Sequence, residues 1–419
     1  MIFFVATILL FNLLFFWANA NIDSYFFWAF GQYLATGNYP FLPDFTYARP
    51  TTMAPPMMSA IMAITQFTPV AALLIRIVQT ILLSSTAYIL FLLLKRSFSK
   101  KASTVIACLF ILIPGNLVYV NYLMSEILAQ FFITLVLYLL LTKKYSLAFF
   151  WAAVGMLSKY AVILYAPIAL LFPARKRFSF ILAGIFVTAG WISINYSITG
   201  SIGLSDLRGG HLYNNVVWVA GITPSEDSIA MKKLRSFVPQ NVDIRKAYWD
   251  LQTFILPKVG NNFAVFDGIL GTVATLAIKE HPIRYGGSVI QNFIALHGNT
   301  LPYWENLGHF GKPQGAYPLN CDPLGNIALC KPPIPTSWSI PVWNAVIGLS
   351  NGFYRYLWPI IMVIFFVSLL RGNILSLLYV SVVLLHAALE HHDTRYLIPF
   401  YPQIVLVIAL GIKGILFHI

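Results

Sequence analysis

The chain has 419 residues, of which 58% are hydrophobic and only 10% charged, and its formal net charge is +13. Soluble domains carry ~25% charged residues, so this deficit excludes an ordinary water-soluble globule and makes lipid the main solvent. The excess of positive charge does not indicate a nucleic-acid partner, because the basic residues are not interleaved with aromatic ones.

The basic residues instead form short clusters free of acids: Lys95, Arg96, Lys100 and Lys101; Lys143 and Lys144; Arg175, Lys176 and Arg177; Arg371; and Lys413. Basic clusters at helix ends mark the cytoplasmic side and sit well against anionic lipid headgroups. A spanning helix needs ~20 mostly apolar residues. Residues 1–19 supply the first. Ala18-Asn19-Ala20 resembles a signal-peptidase site, but no basic stretch precedes it, so a retained helix is expected. Residues 21–56 form the first outer loop, and the short, proline-bounded run 53–64 reads as an interfacial or re-entrant piece. Further spans are expected at about 69–94, 102–119 and 122–141.

Residues 145–173 have basic clusters on both flanks. A single crossing would place one cluster outside, so a hairpin of two short helices is expected, with its tip near Ser158-Lys159. After a span at about 178–197, residues 198–340 carry mixed charge and many Gly, Pro and Asn residues. They are expected to form an extracytoplasmic domain, helical or α/β, that includes the amphipathic runs 228–255 and 262–296. The last spans are expected at about 341–370, 373–389 and 399–415, with 390–398 outside. The predicted fold is thus an all-α polytopic membrane protein of about ten transmembrane helices with one large extracytoplasmic loop. It divides into 1–197, 198–340 and 341–419. Cys108 reads as a small buried side chain. Cys321 and Cys330 flank a short Pro/Gly/Asn segment, where a disulfide or a reduced pair both fit.

Membrane-level charges are costly, ~2.5–3.5 kcal/mol each on insertion scales, and need a reason. Asp23, Arg76, Glu126, Lys159 and Arg395 are all placed at or near the outer face. That clustering fits an interfacial active site better than a translocation path, which places charges through the mid-membrane. Asp23 opens an aromatic helix that stops at Gly37-Asn38-Tyr39-Pro40; it can cap that helix or act as a base. Glu126 lies about one turn inside its span. It can bond a neighbouring helix, pair with Arg76, or help position an acceptor. Lys159 and Arg395 can hold a phosphate or snorkel to headgroups. His391, His392, Asp393 and Tyr396 crowd the connector of Arg395. Adjacent histidines are a weak metal signal, because their side chains point apart.

In this order the motifs resemble the GT-C superfamily of membrane glycosyltransferases, above all protein O-mannosyltransferases and aminoarabinose transferases. They are Asp23 with Tyr33-Leu-Ala-Thr-Gly-Asn-Tyr-Pro40; Met124-Ser125-Glu126; Gly155-Met-Leu-Ser-Lys159-Tyr160; Lys279-Glu-His-Pro282; and His392-Asp393-Thr-Arg395-Tyr396-Leu-Ile-Pro399. The chain departs from that family in having Ser24 where a second acid often follows, and in stopping without a C-terminal soluble domain.

The resemblance implies transfer of a sugar from a polyprenyl-phosphate donor to an acceptor hydroxyl outside the membrane, with inversion. Asp23 would be the base. Lys159, Arg395 and Tyr396 would hold the donor phosphate, and Glu126, Arg76, His392 and Asp393 would support the site or the acceptor. The acceptor class, whether glycan, lipid or protein, stays open. No cofactor is required by this chemistry, and a divalent metal stays open. The implied location is a bacterial or archaeal plasma membrane with the site facing out. Two alternatives stand beside it: another glycan enzyme, an O-antigen polymerase or ligase relying on loop arginines, and, from a different class, a secondary transporter or lipid-linked sugar flippase. The latter predicts internal repeats and mid-membrane polar residues, neither of which is evident.

Overall fold

A computed structural model describes residues 10, 12, 22–39, 50–65, 68, 71–171, 178–297, 348–349, 352–370, 374–389 and 394–416. Every regular element among them is helical. Four helices are long and apolar enough to cross a membrane: Ala71–Leu94, Phe178–Thr199, Phe353–Leu370 and Tyr396–Lys413. The chain is therefore a helical protein suited to a membrane.

Helix α1 (Ile22–Thr36) ends where the sequence places its stop. Gly37 adopts a left-handed φ of 74°, and its N–H donates to the Tyr33 carbonyl at 2.9 Å, a closure that glycine enters without a Cβ penalty. Helix α2 (Pro56–Thr65) lies against α1. A Cβ on Gly31 would fall 2.8 Å from the Ser59 carbonyl oxygen, so the close crossing requires glycine there.

Helix α3 (Ala71–Leu94) is followed by α4 (Lys100–Ile111), which Ser99 caps by accepting from the Ala102 N–H at 3.3 Å. The single span expected over 102–119 is broken. Pro114 cannot donate an N–H and clashes with the preceding turn, so the chain restarts as α5 (Pro114–Tyr119). Then come α6 (Glu126–Leu141), α7 (Tyr145–Met156), α8 (Tyr160–Leu170) and α9 (Phe178–Thr199). The chain turns back between α7 and α8, through Leu157, Ser158 and Lys159.

Among the described residues, the basic residues that follow α3 and end α17 (Tyr401–Leu416) meet at one end of this bundle. Arg96 donates to the Leu141 carbonyl at 3.1 Å and lies over the Tyr138 ring, and Lys413 donates to the Ser97 carbonyl at 2.7 Å. The segment joining α3 and α4 is thereby fixed to the end of α6 and to the last turns of Tyr401–Leu416. The outward faces are apolar: Phe186 on α9 is 73% exposed and Leu109 on α4 is 58% exposed. Such surface is unfavourable in water but matches lipid.

Residues 208–296 continue as α10 (Arg208–Tyr213, widening into a π-turn over Asn214–Val219), α11 (Ile229–Phe237), α12 (Tyr248–Ile255), α13 (Phe263–Glu280) and α14 (Pro282–Leu296). Their core is shared with α1 and α2: Phe26, Phe27, Met58 and Met62 pack with Tyr213, Leu251, Phe266 and Leu270. The bundle has a separate core, with Ile127, Val136, Phe365 and Tyr379 among its members, and α14 joins it through Phe293 and Leu296.

The remaining helices are α15 (Phe353–Leu370), α16 (Ile374–Leu389), a 3-10 segment Thr394–Phe400 and α17 (Tyr401–Leu416). Helix α14 runs down the flank of α16. Near its start the Tyr285 hydroxyl donates to the Ala388 carbonyl at 2.5 Å, and just beyond its end His297 Nε2 meets the Tyr379 hydroxyl at 2.7 Å.

Candidate functional site

Opposite the basic end, the start of α6, the α7–α8 turn and the Thr394–Phe400 segment converge. Glu126 and Lys159 are 33 residues apart in sequence, yet Lys159 Nζ lies 3.3 Å from Glu126 Oε1. The same ammonium sits 4.7 Å from the centroid of the Tyr396 ring. Both charges are largely removed from solvent, with side-chain exposures of 14% for Lys159 and 3% for Glu126. The second carboxylate oxygen, Oε2, is buried and has no hydrogen-bond partner among the described residues. The Tyr396 ring meets His386 edge-on at 5.2 Å.

Neighbouring polar groups hold this arrangement. Gln130, one turn below Glu126, donates to the Ile398 carbonyl and to Asn116 Oδ1, both at 2.8 Å. That bond pins the segment carrying Tyr396 onto α6. Gln79 donates to the carbonyls of Tyr122 and Met124 at 2.7 and 3.0 Å, fixing the turn that leads into Glu126.

Arg76 supports the same turn and does not pair with Glu126. Its Nε donates to Asn121 Oδ1 and its Nη2 to the Asn12 carbonyl, both at 2.9 Å, and its side chain is fully buried. The pairing of Glu126 with Arg76 weighed from sequence is thus replaced by Glu126 with Lys159. The reason is connectivity. Asn121 lies nearer to Arg76, and the α7–α8 turn, distant in sequence, brings Lys159 to the carboxylate.

Residues 51–57 cross this end. The Met57 N–H donates to the Leu157 carbonyl at 2.8 Å, and the Tyr160 hydroxyl donates to the Thr52 carbonyl at 2.7 Å. Thr52 also donates to Asn195 Oδ1, and Thr51 donates to Asp206 Oδ1 at 3.0 Å. Asp206 is fully buried. Burial, with the Asp206 charge adding to it, pushes the Tyr39 phenol well above its ordinary range. Asp206 thus ties Thr51, in the stretch before α2, to the segment before α10, a role its local sequence does not announce. Gln130 and Gln79 were also missed; a buried amide inside an apolar helix was their available signal.

The backbone places Asp23 in the first turn of α1 and Arg395 beside Tyr396 in the 3-10 segment; their side chains are not among those described. His391, His392, Asp393, Cys321 and Cys330 lie outside the described residues, and Cys108 is a half-buried free thiol. Among the described residues no group of three or more His, Cys, Asp or Glu is placed to hold a metal ion.

Chemically, the site offers one ammonium held between a carboxylate and an aromatic face. A lysine ammonium has three donors, and Glu126 takes one. The ammonium's remaining donors are held in place for an anion, while the Glu126 carboxylate 3.3 Å away offsets part of its charge. Compared with known proteins, the chain matches no family model, no curated protein and no solved structure.

Proposed function

We propose that the chain is a membrane glycosyltransferase that moves a sugar from a polyprenyl-phosphate donor to an acceptor hydroxyl. The observation that carries this reading is the Lys159 ammonium, held 3.3 Å from Glu126 and 4.7 Å from the Tyr396 ring, at the end of the bundle opposite the basic clusters. In this reading about ten helices span the bilayer. Of residues 198–340, α10 to α13 stand in the large extracytoplasmic loop while α14 lies along α16 in the bundle, and the basic end faces the cytoplasm of a bacterial or archaeal plasma membrane. The 16 residues of α6 give about 24 Å of rise from the basic end to Glu126. Against a ~30 Å hydrocarbon core, that depth puts the ion pair just inside the far headgroups. A phosphate on an outer-leaflet lipid lies at that level.

The chemistry follows from the donor. The bond between the anomeric carbon and the phosphate oxygen breaks, and its electron pair leaves with the phosphate. Lys159 and Arg395 stabilise that developing charge. The acceptor oxygen attacks from the opposite face and its proton passes to Asp23, with inversion. Glu126 is buried on both oxygens, so we assign it to orienting Lys159 and not to proton transfer.

The test is transfer of labelled sugar from polyprenyl-phosphate hexoses in membranes containing the wild type, Lys159→Met or Asp23→Asn, at matched folded protein. The wild type alone should transfer, with each variant lowered by about 10² or more. Uptake of donor into proteoliposomes without any covalent product would overturn the reading in favour of transport.

A further inference from the structure

A groove of about 390 Å³ runs between α4, α15 and α17, away from the Lys159 site. Its wall includes Ile106, Phe110, Trp358, Ile361, Ile408 and Ile412. All of its lining side chains are aliphatic or aromatic, and the two polar groups among them are already engaged. The Tyr401 hydroxyl meets the Tyr354 hydroxyl at 2.8 Å, and the Trp358 indole N–H donates to the His297 carbonyl at 3.3 Å. Nothing in the wall is left to hold water, so the occupant must be apolar along its length.

The ends of the groove define that occupant further. From Tyr401 to Ile412 the lining of α17 rises about 16 Å. That is the depth of one leaflet of a ~30 Å hydrocarbon core. At the Ile412 end stands a basic mouth. Lys413 reaches across to the Ser97 carbonyl at 2.7 Å and lies 5.8 Å from the Phe98 ring centroid, and Lys100 and Lys101 open α4 beside it, both exposed. No acidic residue lies between Lys95 and Lys101 or between Tyr401 and Lys413. The groove therefore combines a dry wall one leaflet deep with a positive mouth at the exposed Lys100 and Lys101.

We infer that this groove is a site for an anionic phospholipid of the leaflet at the basic end, with one acyl chain along α4, α15 and α17 and its phosphate at Lys100 and Lys101. The inference is independent of the glycosyl-transfer reading and needs only a membrane setting. It places the lipid at the end remote from Lys159.

The test uses the full chain, purified in mild detergent and stripped of lipid, with binding followed by native mass spectrometry. Phosphatidylglycerol and phosphatidylcholine with the same acyl chains are titrated separately. Phosphatidylglycerol should bind about 25-fold more tightly, from ~fivefold for each of two exposed lysines. Lys100→Gln with Lys101→Gln should bring the two lipids to within about twofold. Leu109→Trp, at an exposed position of the groove wall, should weaken both lipids equally. Thermal unfolding of each variant without lipid checks the fold. Equal binding of the two lipids by the wild type overturns the proposal. So does displacement of bound phosphatidylglycerol by polyprenyl phosphate at equal stoichiometry, which would make the groove a donor-tail site.

Discussion

The Glu126–Lys159 pair yields an asymmetric prediction. At 3.3 Å the pair attracts by ~5 kcal/mol at an effective dielectric of ~20. Desolvation offsets much of this, so the loss on mutation depends on which charge is left behind. Lys159→Met strands the Glu126 carboxylate, which is only 3% exposed and has one oxygen without a partner among the described residues. It also removes the cation over Tyr396, worth ~1 kcal/mol. We expect a loss of about 4 kcal/mol, within the range for breaking a buried pair. Glu126→Gln leaves Lys159, which is 14% exposed and still faces Tyr396, and should cost only about 2 kcal/mol. The double variant leaves no stranded charge and should fall short of the sum by about 2–3 kcal/mol. The assay is reversible unfolding in detergent micelles for the wild type and three variants, read as a double-mutant cycle. Additive losses, or a larger loss for Glu126→Gln than for Lys159→Met, would refute the reasoning.

Four further outcomes follow. Gly209→Ala would place a Cβ 2.1 Å from the Asp267 carbonyl oxygen, so α10 and α13 must separate; a loss of about 3 kcal/mol is expected. By contrast, Gly37→Ala has open space but a φ of 74° and should lose only ~1 kcal/mol in the same unfolding assay. Burial holds the Asp267 carboxyl above its ordinary value, opposed by the Gly210 and Gly209 N–H groups and by His211 and Arg208. The folded state therefore keeps this proton to higher pH than the unfolded state. Its contribution is fully present below the ordinary carboxylate value and is lost as pH rises through the raised one. Asp267→Asn should flatten stability against pH across that window, and an unchanged slope would count against the assignment. Arg76→Met should cost about 3 kcal/mol, because the Asn121 and Asn12 oxygens lose their donors in a buried site; unfolding midpoints at constant slope check it.

Much of the architecture was legible because lipid imposes simple rules. Long apolar runs must close their own hydrogen bonds, which makes α3 and α9 helical whatever their neighbours. The paired clusters around 145–173 demand a turn, and the chain turns at Leu157–Lys159. Gly37 ends α1 for a local reason that its neighbours do not alter. The break at Pro114 was equally local, and its effect inside an apolar run was the part underestimated. Apolar length alone does not distinguish one helix from two stacked ones.

The site was only partly legible. Sequence singled out Glu126, Lys159 and Tyr396 individually, because charge and polar aromatics near a membrane face need a reason. It did not pair them, since two carboxylate partners at similar depth are equivalent until helices pack. Asp206, Gln130 and Gln79 carry no motif. Their importance comes from bonds to Thr51, Ile398, Tyr122 and Met124, residues 43 or more positions away.

Helices long and apolar enough for a membrane, with basic residues in clusters, were written in the sequence, because hydropathy and charge act on each segment separately. Only the tertiary structure decided that Lys159 meets Glu126 and Tyr396 while Arg76 serves Asn121. It also decided that α14 lies along α16 and that α4, α15 and α17 leave a dry groove. These depend on which side chains come within a few ångströms across helices far apart in the chain, and short-range packing of that kind leaves no periodic trace in any one of them.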